Sequence, residues 1–127
     1  VICQYLADQK LESGLVPKAG SMEHYRHMEA LNFAATEVHK QIGALFNPQM
    51  TPEMKTVQLG VIDRRLSALE KMLDSKAYIM GEKFSAADAY LFTVLNWTNP
   101  LNLLPLRSGR ARVAVPINFA GLCSRRA

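Results

Sequence analysis

The fold of this chain is decided by the stretch GEKFSAADAYL at residues 81–91. Ser85 can be the N-cap of a helix, because its side chain can accept the backbone N–H of the third helical residue. Asp88 stands at that third position and can accept the N–H of Ser85 in return, a capping box with Asp in place of Glu or Gln. Phe84, just before the cap, can pack onto the first turn. The stretch therefore predicts a turn followed by a well-defined helix start.

The helix that follows is too apolar to lie at a surface. Its apolar positions after the first turn are Leu91, Phe92, Val94, Leu95 and Trp97. A helix of about a dozen residues that is apolar nearly all round belongs in the interior of a domain. We expect it to be the central core helix and to end at Asn99-Pro100, because proline disfavours helix at the residue before it.

Length and composition restrict the class of protein. The chain has 127 residues, of which 49% are hydrophobic, enough for one domain with a buried core and too many for a disordered chain. No apolar run approaches the roughly 20 residues of a membrane span, and no secretion signal opens the chain. Cys3 and Cys123 match no metal or redox spacing. We therefore expect no metal, a cytoplasmic location and, at Cys3, an inert buried thiol.

The net charge of +4 is unevenly distributed. Residues 1–88 carry ten Lys or Arg and eleven Asp or Glu, whereas residues 89–127 carry five Arg and no acidic residue. The basic character therefore belongs to the tail and forms no stripe across the fold. We expect neither nucleic acid nor a membrane as a partner.

The first twenty residues predict the end of one element and a linker. Residues 1–10 read as the end of a helix without an N-cap, with Val1, Ile2, Tyr5 and Leu6 on one face, so we expect that a segment upstream is missing. Residues 11–20 contain two glycines and a proline, a composition typical of a linker.

A long helix is predicted from Ser21, as its N-cap, to about Phe46, before Asn47-Pro48. Apolar residues recur along one face of it at helical spacing. These are Leu31, Ala34, Ala35, Val38, Ile42 and Leu45. We expect His24 and His27 to lie at the surface.

A second long helix is predicted from the cap Thr51, with Pro52 first and Glu53 near the positive helix end, to about Asp74. Its apolar stripe consists of Met54, Val57, Val61, Leu66, Leu69 and Leu73. Gly60 weakens this helix by about 1 kcal/mol relative to Ala, so we interpret it as a point of close helix packing. In the loop that follows, Tyr78, Ile79 and Met80 are expected to point inward.

These elements predict an all-α protein with an up-down pair of long helices and a central apolar helix. We divide the chain into a helix end at residues 1–10, a linker at 11–20, a helical domain at 21–100 and an irregular Arg-rich tail at 101–127. Three interpretations of the tail stay open. It is a segment translated in a shifted frame, the one we prefer, or a disordered basic tail, or an arm that binds a partner.

The motif at residues 81–91 also resembles a known family. The string FSAADAYLFTVL at residues 84–95 is similar to the capping box and core helix of the C-terminal domain of glutathione transferases, in the form found in bacterial beta-class enzymes. A second match is LNFAATEVHK at residues 31–40, similar to the long helix of that domain. VICQYLAD at residues 1–8 resembles the last helix of the family's thioredoxin-like N-terminal domain. The resemblance covers about residues 1–100 and implies a glutathione transferase C-terminal-like helical bundle.

The resemblance implies a set of functional residues. The glutathione-binding positions would be Asn32, Thr36, Glu37, Val38 and His39. His39 would also have a catalytic part near the sulfur, and Trp97 would wall the pocket of the hydrophobic second substrate. Independently, Asn32, Thr36 and His39 share a helix face by their i, i+4, i+7 spacing. Spacing alone favours a solvated helix flank for this strip, and the resemblance is what favours a site.

The implied activity is conjugation of the glutathione thiolate to a small hydrophobic electrophile by a homodimer, with glutathione as co-substrate and no cofactor. The family's thiol-binding strands and the Cys or Ser that meets the thiol would precede Val1, so we expect a fragment with little activity alone. A non-enzymatic interaction module with the same helical fold is an alternative. A remnant of a truncated, frame-shifted gene is another.

Overall fold

The computed structural model describes residues 1–74, 76–98 and 101, and helices joined by turns and loops make up these ranges. The α-helices are α1 (Ile2–Asp8), α2 (Met22–Phe33), α3 (Lys40–Gly43), α4 (Pro52–Leu73) and α5 (Ala86–Asn96). A π-helical segment, Ala34–His39, joins α2 to α3. Short 3-10 turns occupy Leu11–Ser13 and Ala44–Phe46. The described residues contain an isolated bridge between Tyr78 and Gly81 and no strand. The all-α prediction is confirmed.

The long helices begin at the residues that their sequence predicts. The Ser21 hydroxyl accepts the N–H of His24 at 3.1 Å, and the Thr51 hydroxyl accepts that of Met54 at 3.3 Å. Each bond satisfies one of the backbone donors that a helix leaves free at its start. Helical structure then runs without a break from residue 22 to residue 46, as predicted, although part of it is π-helical.

The predicted capping box is present at the start of α5. Asp88 Oδ2 accepts the backbone N–H of Ser85 at 2.9 Å and its hydroxyl at 2.6 Å. The other oxygen, Oδ1, accepts the N–H of Ile79 at 2.8 Å. One buried carboxylate therefore fixes both the helix start and the turn before it, and every bond it accepts replaces water that it loses on burial.

The core lies where α5 packs against α2 and the π-helical segment, and α4 packs against that segment and α3. Burial of these apolar side chains supplies most of the free energy of folding, about 1.5–3 kcal/mol for each Val, Leu or Ile. The buried members from α2 through α3 are Ala30, Ala34, Val38 and Ile42. Those from α4, the turn and α5 are Ile62, Leu66, Leu69, Ile79, Ala87, Leu91 and Val94.

The predicted apolar stripe of α4 is correct in its second half and wrong in its first. Leu66 and Leu69 are buried, but Met54 and Val57 are exposed, and the buried Ile62 was not predicted. With 53% and 69% of their surface exposed, Met54 and Val57 are left largely uncovered by the described elements. Gly60 is also exposed, with Arg64 Nη1 3.9 Å from where a Cβ would stand. It marks no close helix contact, contrary to the prediction.

Helix α1 and the linker pack on the amino-terminal end of α5. Ala7, Val16 and Ala86 form a small buried cluster, and the N–H of Ala86 donates to the carbonyl of Leu15 at 2.9 Å. Most of α1 is uncovered: Ile2, Tyr5 and Leu6 are exposed, as is Val1 just before the helix. Cys3 is exposed as well, so the prediction of a buried core thiol is wrong. Its helix face is apolar, but no described element covers it.

His27 contradicts the surface position that we predicted. Its side chain is 0% exposed. His27, Ala30 and Ala34 follow one another at helical spacing, so the imidazole lies on the core-facing side of α2. Within the described part of the chain, neither ring nitrogen has a hydrogen-bond partner. His24 is half-buried, and its Nδ1 lies 3.2 Å from the carbonyl oxygen of Pro17.

Several predictions fall outside the described residues. They are the stop at Asn99-Pro100, the position of Cys123 and the nature of the tail, apart from Leu101, which packs against the core. Among the helices that the structure does describe, none is both long and apolar enough to cross a membrane.

Candidate functional site

Three rings meet where the π-helical segment crosses α5. Nδ1 of His39 lies 2.5 Å from the hydroxyl oxygen of Tyr90, although the two residues are 51 positions apart. The His39 ring also stands edge-on to the Tyr90 ring, with centroids 5.7 Å apart, and to the Trp97 ring at 4.8 Å. Such perpendicular arrangements suit the charge distribution of aromatic rings. Together they fix the orientation of the imidazole.

Tyr90 keeps its phenolic proton at neutral pH. Burial raises the pKa of the Tyr90 phenol, and the nearby Cys3 thiol adds to the increase. Both effects disfavour the phenolate, because a negative charge there would lose water and meet a second acidic group. The side chain is therefore available as a hydrogen-bond donor to His39.

Tyr90 also lines an open cleft of about 910 Å³ between α1 and α2. Asn32 and Ala35 stand on the same wall, and Ile2 and Cys3 face them from α1. Its size suits a small-molecule site, and its lining is mostly apolar with a few polar groups, as such sites commonly are. The hydrogen bond from Tyr90 connects His39 to this cleft.

The remaining predicted binding residues bond largely within the protein. Thr36 is exposed, and its hydroxyl lies 3.0 Å from the carbonyl oxygen of Asn32 and 3.2 Å from Oε1 of Glu37. Glu37 Oε2 forms an ion pair with Nε of Arg65 on α4 at 2.8 Å. This pair is partly exposed, so water weakens it. The structure thus places Asn32 in the lining of the cleft, whereas His39 lies outside that lining and is linked to it by its hydrogen bond to Tyr90. The carboxylate of Glu37 is turned toward α4.

Val38 lies apart from the other predicted positions. Its side chain is 1% exposed and belongs to the central core. Its side chain is therefore not accessible to a ligand.

Tyr90 is the residue that the sequence argument missed, although it stands inside the most informative motif. A signal was available. Tyr90 and Trp97 are seven positions apart and so share one face of α5. A tyrosine hydroxyl on an otherwise apolar core helix needs a polar partner, because an unpaired buried hydroxyl is costly. That partner is His39.

Residues 33–115 match the family described as glutathione S-transferase, C-terminal domain. A curated relative, glutathione S-transferase GstA of Escherichia coli O157:H7, is 37% identical over 102 residues. The alignment covers 80% of this chain and 51% of the relative, so the chain spans about half the length of that protein.

Solved structures give the same result. A glutathione transferase from Methylococcus capsulatus strain Bath is 42% identical, with a TM-score of 0.74 over 91% of this chain and 62% of its own. A sphingomonad glutathione S-transferase, solved in complex with glutathione, is 32% identical, with a TM-score of 0.74 over 97% of this chain and 64% of its own. The resemblance noted in the sequence is confirmed at the level of family and fold.

Proposed function

Because this chain belongs to the glutathione S-transferase family, we propose that it provides the helical half of a site for conjugating glutathione to electrophiles. The observation that carries this proposal is the arrangement at the cleft. Asn32 and Tyr90 line it together, and Tyr90 holds His39 by a hydrogen bond. The sphingomonad relative binds glutathione, as its structure records, which supports glutathione as the ligand here.

We assign the glutathione contacts on this half to Asn32, Thr36, Glu37, His39 and the main chain at Val38. Asn32 and Thr36 have exposed polar side chains that can pair with peptide groups of the ligand. Glu37 contributes mainly by holding this segment against Arg65, because its carboxylate is already paired. Val38 contributes through its backbone, since its side chain is buried in the core.

The proposed reaction is nucleophilic attack by the glutathione thiolate. The thiol loses its proton to solvent, and the sulfur forms a bond to an electrophilic carbon. The leaving group departs with the electron pair of the bond that breaks. The thiolate is the reactive form of the thiol, so a hydrogen bond from His39 to the sulfur favours the reaction by stabilising that form.

We assign one wall of the second-substrate pocket to Trp97. Its indole ring packs edge-on against His39 at 4.8 Å and against Phe46 at 5.9 Å. Phe46 is exposed, so the two rings form an apolar surface beside the imidazole. Such a surface suits a small hydrophobic electrophile that must lie close to the thiolate.

Full activity is proposed for a longer assembly than these 127 residues. The curated relative is about twice as long as the region that it shares with this chain. We propose that the chain alone has little transferase activity, and that the working form is a homodimer. The family match favours this function over a non-enzymatic interaction module.

The test is titration of the purified chain with glutathione, followed by amide NMR shifts. We expect weak, saturable binding with the largest shifts at Asn32, Thr36 and His39. His39→Ala should weaken binding several-fold, because it removes the imidazole donor that we propose for the sulfur, whereas Lys40→Ala, at the next and exposed position, should not. Shifts confined to other surfaces, or equal effects of the two variants, would contradict the assignment.

A further inference from the structure

The His39 imidazole is held on two sides by rings of α5. Tyr90 contacts it through the hydrogen bond at Nδ1 and through an edge-on ring contact at an interplanar angle of 78°. Trp97 stands against it at 85°. Rotation of the imidazole about its side-chain bonds would break all of these contacts. Tyr90 thus engages Nδ1, and the question that follows is whether the other ring nitrogen, Nε2, is a donor or an acceptor.

The chemistry of the pair decides which group donates the proton. A neutral imidazole carries one N–H, on either Nδ1 or Nε2. If Nδ1 carried it and donated to the tyrosine oxygen, the phenolic proton would be left to water in the open cleft that Tyr90 lines. If the phenol donates, both groups are used. The second arrangement also follows acid strength, because an imidazole nitrogen is a better base than a phenol oxygen.

We propose that Tyr90 is a positioning residue that locks His39 in the tautomer with the proton on Nε2. In that tautomer Nδ1 accepts the Tyr90 hydroxyl, and Nε2–H is a donor with no partner in the described part of the chain. The raised pKa of Tyr90 extends this arrangement to higher pH, since the phenol keeps its proton.

This part of the inference rests on the proposed function. Within it, the tautomer determines which chemical role His39 can have. An Nε2–H group can donate to a thiolate and stabilise its charge. It cannot remove the proton of the thiol, because Nε2 is already protonated and the lone pair of Nδ1 is engaged by Tyr90. His39 is thus a hydrogen-bond donor to the sulfur and not a general base.

The experiment is a long-range ¹H–¹⁵N NMR correlation of the histidine side chains in the full chain near neutral pH. The chain has three histidines, and the signals of His39 are identified by their loss in His39→Gln. We expect His39 to show a protonated Nε2 and an unprotonated, hydrogen-bonded Nδ1. Tyr90→Phe keeps the ring but removes the hydroxyl, so both nitrogen shifts should move toward the average of free histidine. Tyr25→Phe, which removes an exposed hydroxyl, should leave them unchanged.

A protonated Nδ1 in the unmodified chain would overturn the proposal, and so would nitrogen shifts that do not respond to Tyr90→Phe. If Tyr90→Phe does not fold, the tautomer of the unmodified chain decides the question alone. Addition of glutathione to the same sample separates the two proposals. If His39 carries its proton on Nε2 and its nitrogen shifts do not change when glutathione is added, the positioning role is supported and the proposed function is contradicted. If these shifts change with glutathione while the proton is on Nδ1, the proposed function is supported and the positioning role is contradicted.

Discussion

His27 buries an imidazole without giving either ring nitrogen a partner among the described residues. Leaving a buried donor or acceptor unpaired costs about 1–3 kcal/mol, so this side chain lowers the stability of the fold. Desolvation lowers the pKa of His27, and the charge of His24 lowers it further. Asp88 on α5 and Asp8 on α1 act in the opposite direction and are the smaller effects. The folded protein therefore favours neutral His27.

The pH dependence of stability follows from this shift. An unfolded His27 takes up a proton below its ordinary pKa of about 6.5, whereas the folded one does so at a lower pH. The unfolded state thus binds more protons in that interval, and the free energy of unfolding falls as pH decreases below about 6.5, by at most about 1.4 kcal/mol per pH unit. Urea denaturation across this range measures the slope. His27→Leu should remove most of it, and His24→Gln should retain most of it.

At Val38, we expect a side-chain substitution to change the stability of the fold but not the affinity for glutathione. The side chain is 1% exposed, whereas that of Val57 is 69% exposed. We expect Val38→Ala to cost about 1–3 kcal/mol through lost contacts and a cavity. Val57→Ala should change stability by no more than about 0.5 kcal/mol. Urea denaturation of both variants checks this, and glutathione titration of folded Val38→Ala should give unchanged affinity. A large affinity loss would mean that the side chain itself serves the site.

At the scale of elements, the π-helical segment Ala34–His39 is the departure that matters most. It contains four of the five predicted glutathione contacts, all except Asn32. Segments of this kind are rare and occur often at functional sites. The shared face of Asn32, Thr36 and His39 was deduced at the α-helical angle of 100° per residue. A wider turn changes that angle, so spacing alone could not place His39 against Tyr90.

Gly60 offers a test of helix propensity within α4. It is exposed in mid-helix, and a Cβ there would meet only ordinary contact with Arg64 at 3.9 Å. We therefore expect Gly60→Ala to stabilise the protein by about 1 kcal/mol. Gly81→Ala is the contrasting variant, because Gly81 has a φ of 120° that L-residues rarely adopt. It should destabilise. Thermal melts of both variants test this. A loss of stability in Gly60→Ala would contradict the expectation and support the close helix packing that the sequence predicted.

At the scale of the whole molecule, the most important feature is the apolar face of α1 that no described element covers. Ile2, Tyr5 and Leu6 are exposed together on a short helix. Contiguous apolar surface of this kind favours association with another surface. The connection of α1 to the rest of the fold is small, since it buries mainly Ala7 against Val16 and Ala86.

We expect the isolated chain to self-associate through this face. Sedimentation velocity should show species larger than a monomer. Leu6→Gln should shift the distribution toward monomer, because Leu6 is 62% exposed and loses apolar area. Lys10→Gln, beyond the end of α1, should have no such effect. A monomeric chain with a sharp, cooperative melt would contradict the expected self-association through this face.

The sequence by itself determined the helix starts, the all-α class and the family. Ser21, Thr51 and the Ser85–Asp88 pair act on backbone groups within a few positions, so their effect is readable without knowing the rest of the fold. Only the tertiary structure decided that His27 is buried, that Cys3 and Val57 are exposed, and that His39 is bonded to Tyr90. Burial depends on which element covers a face, and the His39–Tyr90 bond joins residues 51 positions apart. No local pattern encodes either.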